Sequence, residues 1–238
     1  MAEYYKAYDE RYKKVAAGGA GTWGTSENDA TVIATLEKWV DENSLSGKSV
    51  LQCACGEGSE GIILSKLGCL YWGTDVSLTA VGVARRRLEE YSGARIFFMD
   101  MVKNQIAGKY DGILDCQGLH MLVTDDDRRK YLENLYFALK DGASALFMRE
   151  LYDENAFLGE VDSFEEWQKI TGADYETPEE RTVPGSGKTV MLTRIPARSK
   201  SKDGYIKEFE AIGFKVESFD VENTPDGAPA LATIKVRK

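Results

Sequence analysis

The chain has 238 residues, 43% of them hydrophobic and 29% charged, and 39 acidic against 30 basic side chains leave a formal net charge of -9. That length can bury a sizeable core in one enzyme-sized unit, and the acidic balance removes any general attraction to phosphate backbones or anionic lipid surfaces. Neither nucleic acid nor membrane is therefore an expected partner. The first residues lack the basic region, apolar core and cleavage site of a secretory leader, and no stretch is apolar for long enough to span a bilayer, so a cytoplasmic location is expected.

In chain order, Tyr4, Tyr5, Tyr8 and Tyr12 recur at near-helical spacing ahead of the glycine-rich run 16–21 and Thr22-Trp23-Gly24, which reads as a helical N-terminal cap over 1–45. Ser26-Glu27-Asn28-Asp29 is a capping-box start for a helix whose Val32, Ile33, Leu36, Trp39 and Val40 share one apolar face. The run from Ser49 to Cys55 has the length and composition of a buried parallel strand and leads straight into Gly56-Glu57-Gly58-Ser59-Glu60-Gly61. Glycines there allow a sharp turn and a close ligand approach, the following helix offers unpaired N–H groups, and Gly73-Thr74-Asp75 delivers an acid able to grip two ribose hydroxyls. Together they read as a nucleotide-cofactor pocket; the glycines alone also fit a turn without chemistry.

Ser77 caps a predicted helix running to about Tyr91, Ile96 to Met99 is a third strand, and Gly112 to Asp115 a fourth. Asp126 or Asp127 opens the next helix, which presents Tyr131, Leu135, Ala138 and Leu139 and ends at Lys140-Asp141-Gly142, before a fifth strand over Ala143 to Met148. Such alternation requires right-handed crossovers, hence an α/β, doubly wound, mostly parallel sheet covered on both faces. A lid-like insertion follows at about 151–187, with a short helix around Phe164-Glu165-Glu166-Trp167, and strand character resumes over Thr189 to Ile195. A last helix from about Asp203 stops at Gly213, and strands over Lys215 to Val221 and Leu231 to Val236 close an antiparallel edge hairpin, seven strands in all.

Cys53, Cys55, Cys69 and Cys116 read as reduced fillers in or beside buried strands. No metal site is expected, since no second CxxC or histidine cluster accompanies them; a thiol site for a soft metalloid is the lesser alternative. Arg85-Arg86-Arg87 reads as a solvated helix face. Pro184-Gly185-Ser186-Gly187-Lys188-Thr189 is similar to a phosphate loop, but Thr182 stands where its leading glycine belongs, and a hairpin turn explains it better.

From about Ser46 to the C-terminus, over 46–238, the order of elements resembles the class I S-adenosylmethionine-dependent methyltransferases. Their glycine motif, an acid, a residue and then GxGxG, corresponds here to Gln52-Cys53-Ala54-Cys55-Gly56-Glu57-Gly58, with Gln52 in place of the acid and Ala54 in place of the first glycine. The resemblance implies a Rossmann-like seven-stranded fold and S-adenosylmethionine as cofactor, held by Gln52, Cys53, Gly56 and Gly58. Asp75 takes the ribose position and Val76 the adenine face. In Phe98-Met99-Asp100-Met101 the aspartate meets the adenine amino group and Met101 lines the base. Tyr110 to Cys116 resembles the fourth motif, which adds Cys116, and Gly118-Leu119-His120-Met121-Leu122 resembles the LHHL-type segment of small-molecule methyltransferases. Read without that resemblance, Asp75 and Asp100 also fit turn or cap residues.

Methyl transfer from a sulfonium is an in-line displacement that asks chiefly for alignment and exclusion of water. A base near neutral pKa assists when the acceptor is a hydroxyl, thiol or protonated amine, and His120, the single histidine, falls just past a strand's C-terminal end. Tyr8, Tyr12 and Trp23, on a glycine-hinged segment, either close over the acceptor or pack on the sheet, and Arg149 pairs with an acceptor carboxylate or with a neighbouring acid. The expected activity is methylation of an O, N or S atom of a small molecule; the pattern holds no signal for oligomeric state. Two alternatives stand beside it. One is a nicotinamide-dependent oxidoreductase, for which Tyr136 and Lys140 supply a YxxxK pair; the other, motivated by Gln52 and Ala54, is a protein that binds the cofactor without catalysis.

Overall fold

A computed structural model describes residues 3–19, 26–183, 186–224 and 229–238. After a single 3-10 turn at Tyr4–Lys6 come α1 (Ala7–Ala17), α2 (Ala30–Glu42), β1 (Ser49–Cys53), α3 (Ser59–Lys66), β2 (Leu70–Asp75), α4 (Leu78–Arg87) and β3 (Arg95–Phe98). There follow β4 (Tyr110–Cys116), α5 (Asp125–Ala138), β5 (Leu139–Tyr152), α6 (Phe164–Thr171), β6 (Glu179–Thr182), β7 (Thr189–Leu192), α7 (Lys202–Ile212), β8 (Lys215–Glu222) and β9 (Ala230–Arg237). Seven strands form one sheet in the order β3-β2-β1-β4-β5-β9-β8, and β6 and β7 form a separate pair. This is the Rossmann-like, mostly parallel sheet with an antiparallel C-terminal hairpin that the strand-helix alternation predicts.

The chain divides into two compact units, Met1–Asp100 with Gly172–Pro196, and Met101–Thr171 with Ala197–Lys238. In the first, β1 and β2 run parallel with Val50 opposite Tyr71 and Cys53 opposite Thr74, and β2 pairs parallel with β3 so that Asp75 faces Phe98. Val50 to Cys53 are all buried, as a strand covered on both faces requires. Asp29, rather than Ser26, caps α2: its carboxylate accepts from the Thr31 and Val32 N–H groups at 2.9 and 3.3 Å, and 26–28 form a 3-10 turn instead of the capping box. Ser77 caps α4 through the Ala80 N–H at 3.0 Å, but the helix stops at Arg87, short of Tyr91. β6 and β7 pair antiparallel from Glu179 opposite Leu192 to Thr182 opposite Thr189, and the turn residues Pro184 and Gly185 lie outside the described residues.

In the second unit β4 and β5 are parallel, β9 is antiparallel to β5, and β8 closes the hairpin. Thr124 opens α5 by accepting from the Asp127 N–H at 3.3 Å, so the helix begins before Asp126; it ends at Ala138, and Leu139 is already in β5. The expected stop at Lys140-Asp141-Gly142 thus falls within β5, at a register shift: Leu139 pairs with Tyr110 and Ser144 with Gly112, and 140–143 lie between those two pairs. Gly213 ends α7 in the left-handed conformation, φ 109°, which only glycine adopts without strain. Phe147, Tyr205, Phe209 and Phe214 form the aromatic core, with Phe147 and Phe209 rings 4.6 Å apart.

Candidate functional site

In the first unit the chain leaves β1 through a run of left-handed residues, Ala54 at φ 50°, Gly56 at 50° and Gly58 at 83°. A Cβ on Gly58 would lie 2.8 Å from Leu88 Cδ1 and 3.2 Å from Ala84 Cβ, so glycine is required there by conformation and by space. Asp75 ends β2 and is 6% exposed. Its two oxygens accept separately from the Gly56 and Ser77 N–H groups, each at 2.8 Å. Burial pushes this carboxyl up to about 6; the Ser77, Gly56 and Val76 N–H groups oppose the rise and the negative Asp9 adds to it. A carboxylate has about four acceptor positions, so with the Ser77, Gly56 and Val76 N–H groups on it one lone-pair site stays available for a hydroxyl.

Gln52 is fully buried, donating from Nε2 to Glu60 Oε2 at 3.1 Å and accepting from the Tyr71 hydroxyl at 2.7 Å. An amide meets both demands where an acid would set two buried carboxylates against each other, a physical reason for the departure at this motif position. Cys53 is buried in β1, and Val76 is half-buried just past β2.

The cap residues belong to this unit. The Tyr12 hydroxyl lies over Gly56, 2.8 Å from where a Cβ would stand, so the glycine is also the space that admits the ring. Tyr8 is half-buried with its ring 6.4 Å from that of Tyr12. The Tyr5 hydroxyl donates to Asp100 at 3.2 Å, Lys6 pairs with the same carboxylate at 3.1 Å, and Asp9 accepts from Ser77 Oγ at 2.7 Å and the Thr79 N–H at 3.0 Å. Trp23 lies outside the described residues.

In the second unit Cys116 ends β4 half-buried, and Met101 is buried with its carbonyl accepting from Asn134 at 2.9 Å. His120 sits on a 3-10 turn, Leu119–Met121, and is 2% exposed. Its backbone N–H and its Nδ1 both meet Glu150 Oε2, at 2.7 and 2.8 Å, and its carbonyl accepts from the Arg198 N–H at 2.8 Å. Arg128, fully buried, donates from Nη1 to the Leu119 and Leu122 carbonyls at 2.8 and 3.0 Å and forks onto Glu208 at 2.6 and 2.8 Å. The turn is therefore clamped on both sides of the imidazole. Behind Glu150, Asp115 accepts from the Tyr131 hydroxyl and the Gly118 N–H, each at 2.7 Å. Burial pushes the Asp115 carboxyl well above the ordinary range, and the negative Glu150 beside it adds to the push.

Two non-glycine residues of this unit hold left-handed backbone, Gln117 at φ 62° and Arg149 at φ 60°. Arg149 falls where the β5–β9 register shifts between Phe147 and Glu150, half-buried, and the bulge turns the next residue, Glu150, inward. Neither Glu150 nor Arg128 stands out in the sequence: one follows an apolar run as a lone acid, the other ends an acidic string that reads as solvated. The YxxxK pair does not assemble. Tyr136 packs edge-on against Phe214, ring centroids 5.0 Å apart, and Lys140, already in β5, pairs with Asp111 at 2.7 Å. The described residues hold no group of three or more His, Cys, Asp or Glu suited to a metal ion, and no helix among them is long and apolar enough to cross a membrane.

A glycine loop and a strand-end acid on parallel strands define the cofactor half of a nucleoside-binding α/β fold, and comparison narrows the class. Residues 51–145 match the family described as a methyltransferase domain. Over 86 residues, 35% of this chain, the sequence is 34% identical to magnesium-protoporphyrin O-methyltransferase of Synechocystis sp. (strain ATCC 27184 / PCC 6803 / Kazusa); the match spans 37% of that protein, little more than a third of its length. Among solved structures, an S-adenosylmethionine-dependent methyltransferase from Clostridium acetobutylicum ATCC 824 aligns with a TM-score of 0.64 at 17% identity, covering 90% of this chain and 92% of that one. Magnesium protoporphyrin IX methyltransferase from Synechocystis PCC 6803, with bound S-adenosylhomocysteine, aligns at 0.60 and 19% identity, covering 95% and 86%. At those identities the structural likeness speaks to fold. With the domain match over residues 51–145, the chain is similar in that segment to a methyltransferase domain and in fold to S-adenosylmethionine-dependent methyltransferases.

Proposed function

We propose that the protein transfers a methyl group from S-adenosylmethionine to an oxygen, nitrogen or sulfur atom of a small-molecule acceptor, with His120 as general base. The observation that carries this reading is Asp75, a buried strand-end carboxylate with a lone-pair position to spare beside the left-handed glycine loop. Within its unit Gly56 and Gly58 shape the loop, Asp75 accepts from the ribose, Val76 offers apolar contact and Asp100 is the acceptor assigned to the amino group, with Cys53 and Gln52 buried behind them.

When bound, S-adenosylmethionine supplies an electrophilic methyl group on a sulfonium. The chain's part is alignment and proton removal: His120 would take the proton of the acceptor atom. Tyr8 and Tyr12 screen the reaction from water, and Arg149 meets an anionic group of the acceptor. In this reading 1–45 is the cap, 46–238 the catalytic core with a lid-like insertion at about 151–187, and the enzyme works in the cytoplasm on small molecules, without nucleic acid.

Calorimetric titration with S-adenosylmethionine, S-adenosylhomocysteine and a nicotinamide dinucleotide tests it. Saturable binding of the first two and none of the third is expected; binding of the dinucleotide alone overturns the reading. If the cofactor binds but no acceptor of any class turns over, the non-catalytic alternative replaces it.

A further inference from the structure

His120 is held by a buried carboxylate that methyl transfer as such does not call for. Glu150 is fully buried; its Oε2 accepts from the His120 backbone N–H at 2.7 Å and lies 2.8 Å from the ring Nδ1. Its other oxygen, Oε1, is buried with no hydrogen-bond partner among the described residues. An Oε2 that already accepts a backbone N–H is placed to accept from the ring nitrogen as well.

The turn that carries His120 is fixed from other elements too: Arg128 of α5 donates to the Leu119 and Leu122 carbonyls. Arg198 donates its backbone N–H to the His120 carbonyl, its guanidinium being engaged by the Val123 and Gly159 carbonyls and Asp125.

We propose that Glu150 is a positioning residue that holds His120 in the Nδ1–H tautomer, leaving Nε2 as the bare, proton-accepting atom. The inference rests on the reading of His120 as the base, and it gives the fully buried carboxylate of Glu150 a role. A neutral imidazole with its Nδ1–H fixed by a carboxylate presents a single lone pair in one direction. Proton removal then has a defined geometry before any acceptor arrives.

His120 is the only histidine in the chain, so ring-15N-histidine labelling gives one imidazole and no assignment problem. In the ligand-free wild type at about pH 8 the Nδ1 signal is expected in the N–H form and the Nε2 signal in the bare form; the reverse assignment overturns the inference without any variant. Glu150→Gln, with a neutral acceptor in place of the anion, should shift the tautomer ratio by roughly 10- to 100-fold toward Nε2–H, and an unchanged ratio in a folded variant also refutes it. None of these readouts needs cofactor or acceptor. Failure to bind S-adenosylhomocysteine sinks the proposed function and leaves the tautomer standing, whereas the wrong tautomer beside normal binding sinks only this inference.

Discussion

Lowering the pH should loosen the grip on the nucleoside through one carboxylate. Asp75 titrates at about 6 because burial disfavours its anion, the adjacent N–H groups of Ser77 and Gly56 recovering only part of that cost, with Asp9 nearby adding to it. Ribose hydroxyls donate, so the ionised form binds. With that midpoint the ionised share falls from about nine-tenths near pH 7 to about one-tenth near pH 5, and affinity for S-adenosylhomocysteine should fall roughly tenfold, ~1.4 kcal/mol. Stability responds with the opposite sign. A folded-state value raised from 3.8 to about 6 contributes stability that is fully present below the unfolded value and is lost as pH climbs through 6. At ~1.4 kcal/mol per unit the loss is about 3 kcal/mol. Calorimetry near pH 5, 6, 7 and 8, with urea melts of the ligand-free protein, measures both slopes, and Asp75→Asn isolates them because an amide does not titrate. An affinity equal near pH 5 and pH 8, or an Asn variant with the wild-type slope, refutes the assignment of Asp75 to the ribose.

Gly58→Ala forces a side chain into left-handed backbone and against Leu88 and Ala84. It should cost about 2–4 kcal/mol, and thermal melts should show a fall on the order of 5–15 °C. Arg128→Ala leaves the Leu119 and Leu122 carbonyls without their donor and Glu208 with Lys200 alone at 3.2 Å. A loss of about 3–5 kcal/mol in urea denaturation is expected, and a change under 1 kcal/mol denies it the clamping role. His120→Ala should lower kcat by about 100-fold or more on whichever acceptor is turned over, while S-adenosylhomocysteine affinity stays within about twofold; an unchanged kcat ends its role as base.

The loop and strand-end acid of the proposed cofactor site are legible in the sequence. Gly56, Gly58 and Asp75 are read from a strand-loop-helix-strand order, and that order depends on neighbours in sequence: periodicity sets the element, and glycine marks the left-handed turn. Element ends were less secure. Lys140-Asp141-Gly142 has the chemistry of a helix stop, and Gly142 is left-handed at φ 75°, yet the helix already ends at Ala138, where Leu139 pairs with Tyr110 of β4. The capping box at Ser26 loses in the same way to Asp29, whose carboxylate reaches two free N–H groups at once.

The sequence alone settled the fold class, the glycine loop, the strand-end acid and the lone histidine, since each is a property of residues a few positions apart. Tertiary structure alone decided what those residues touch. Gln52 joins Tyr71 and Glu60, Asp100 is taken by Tyr5 and Lys6, and His120 finds Glu150 thirty positions along the chain. Such partners are chosen by strand register and by a bulge at a non-glycine residue, and both minimise the energy of the whole sheet rather than of any local segment.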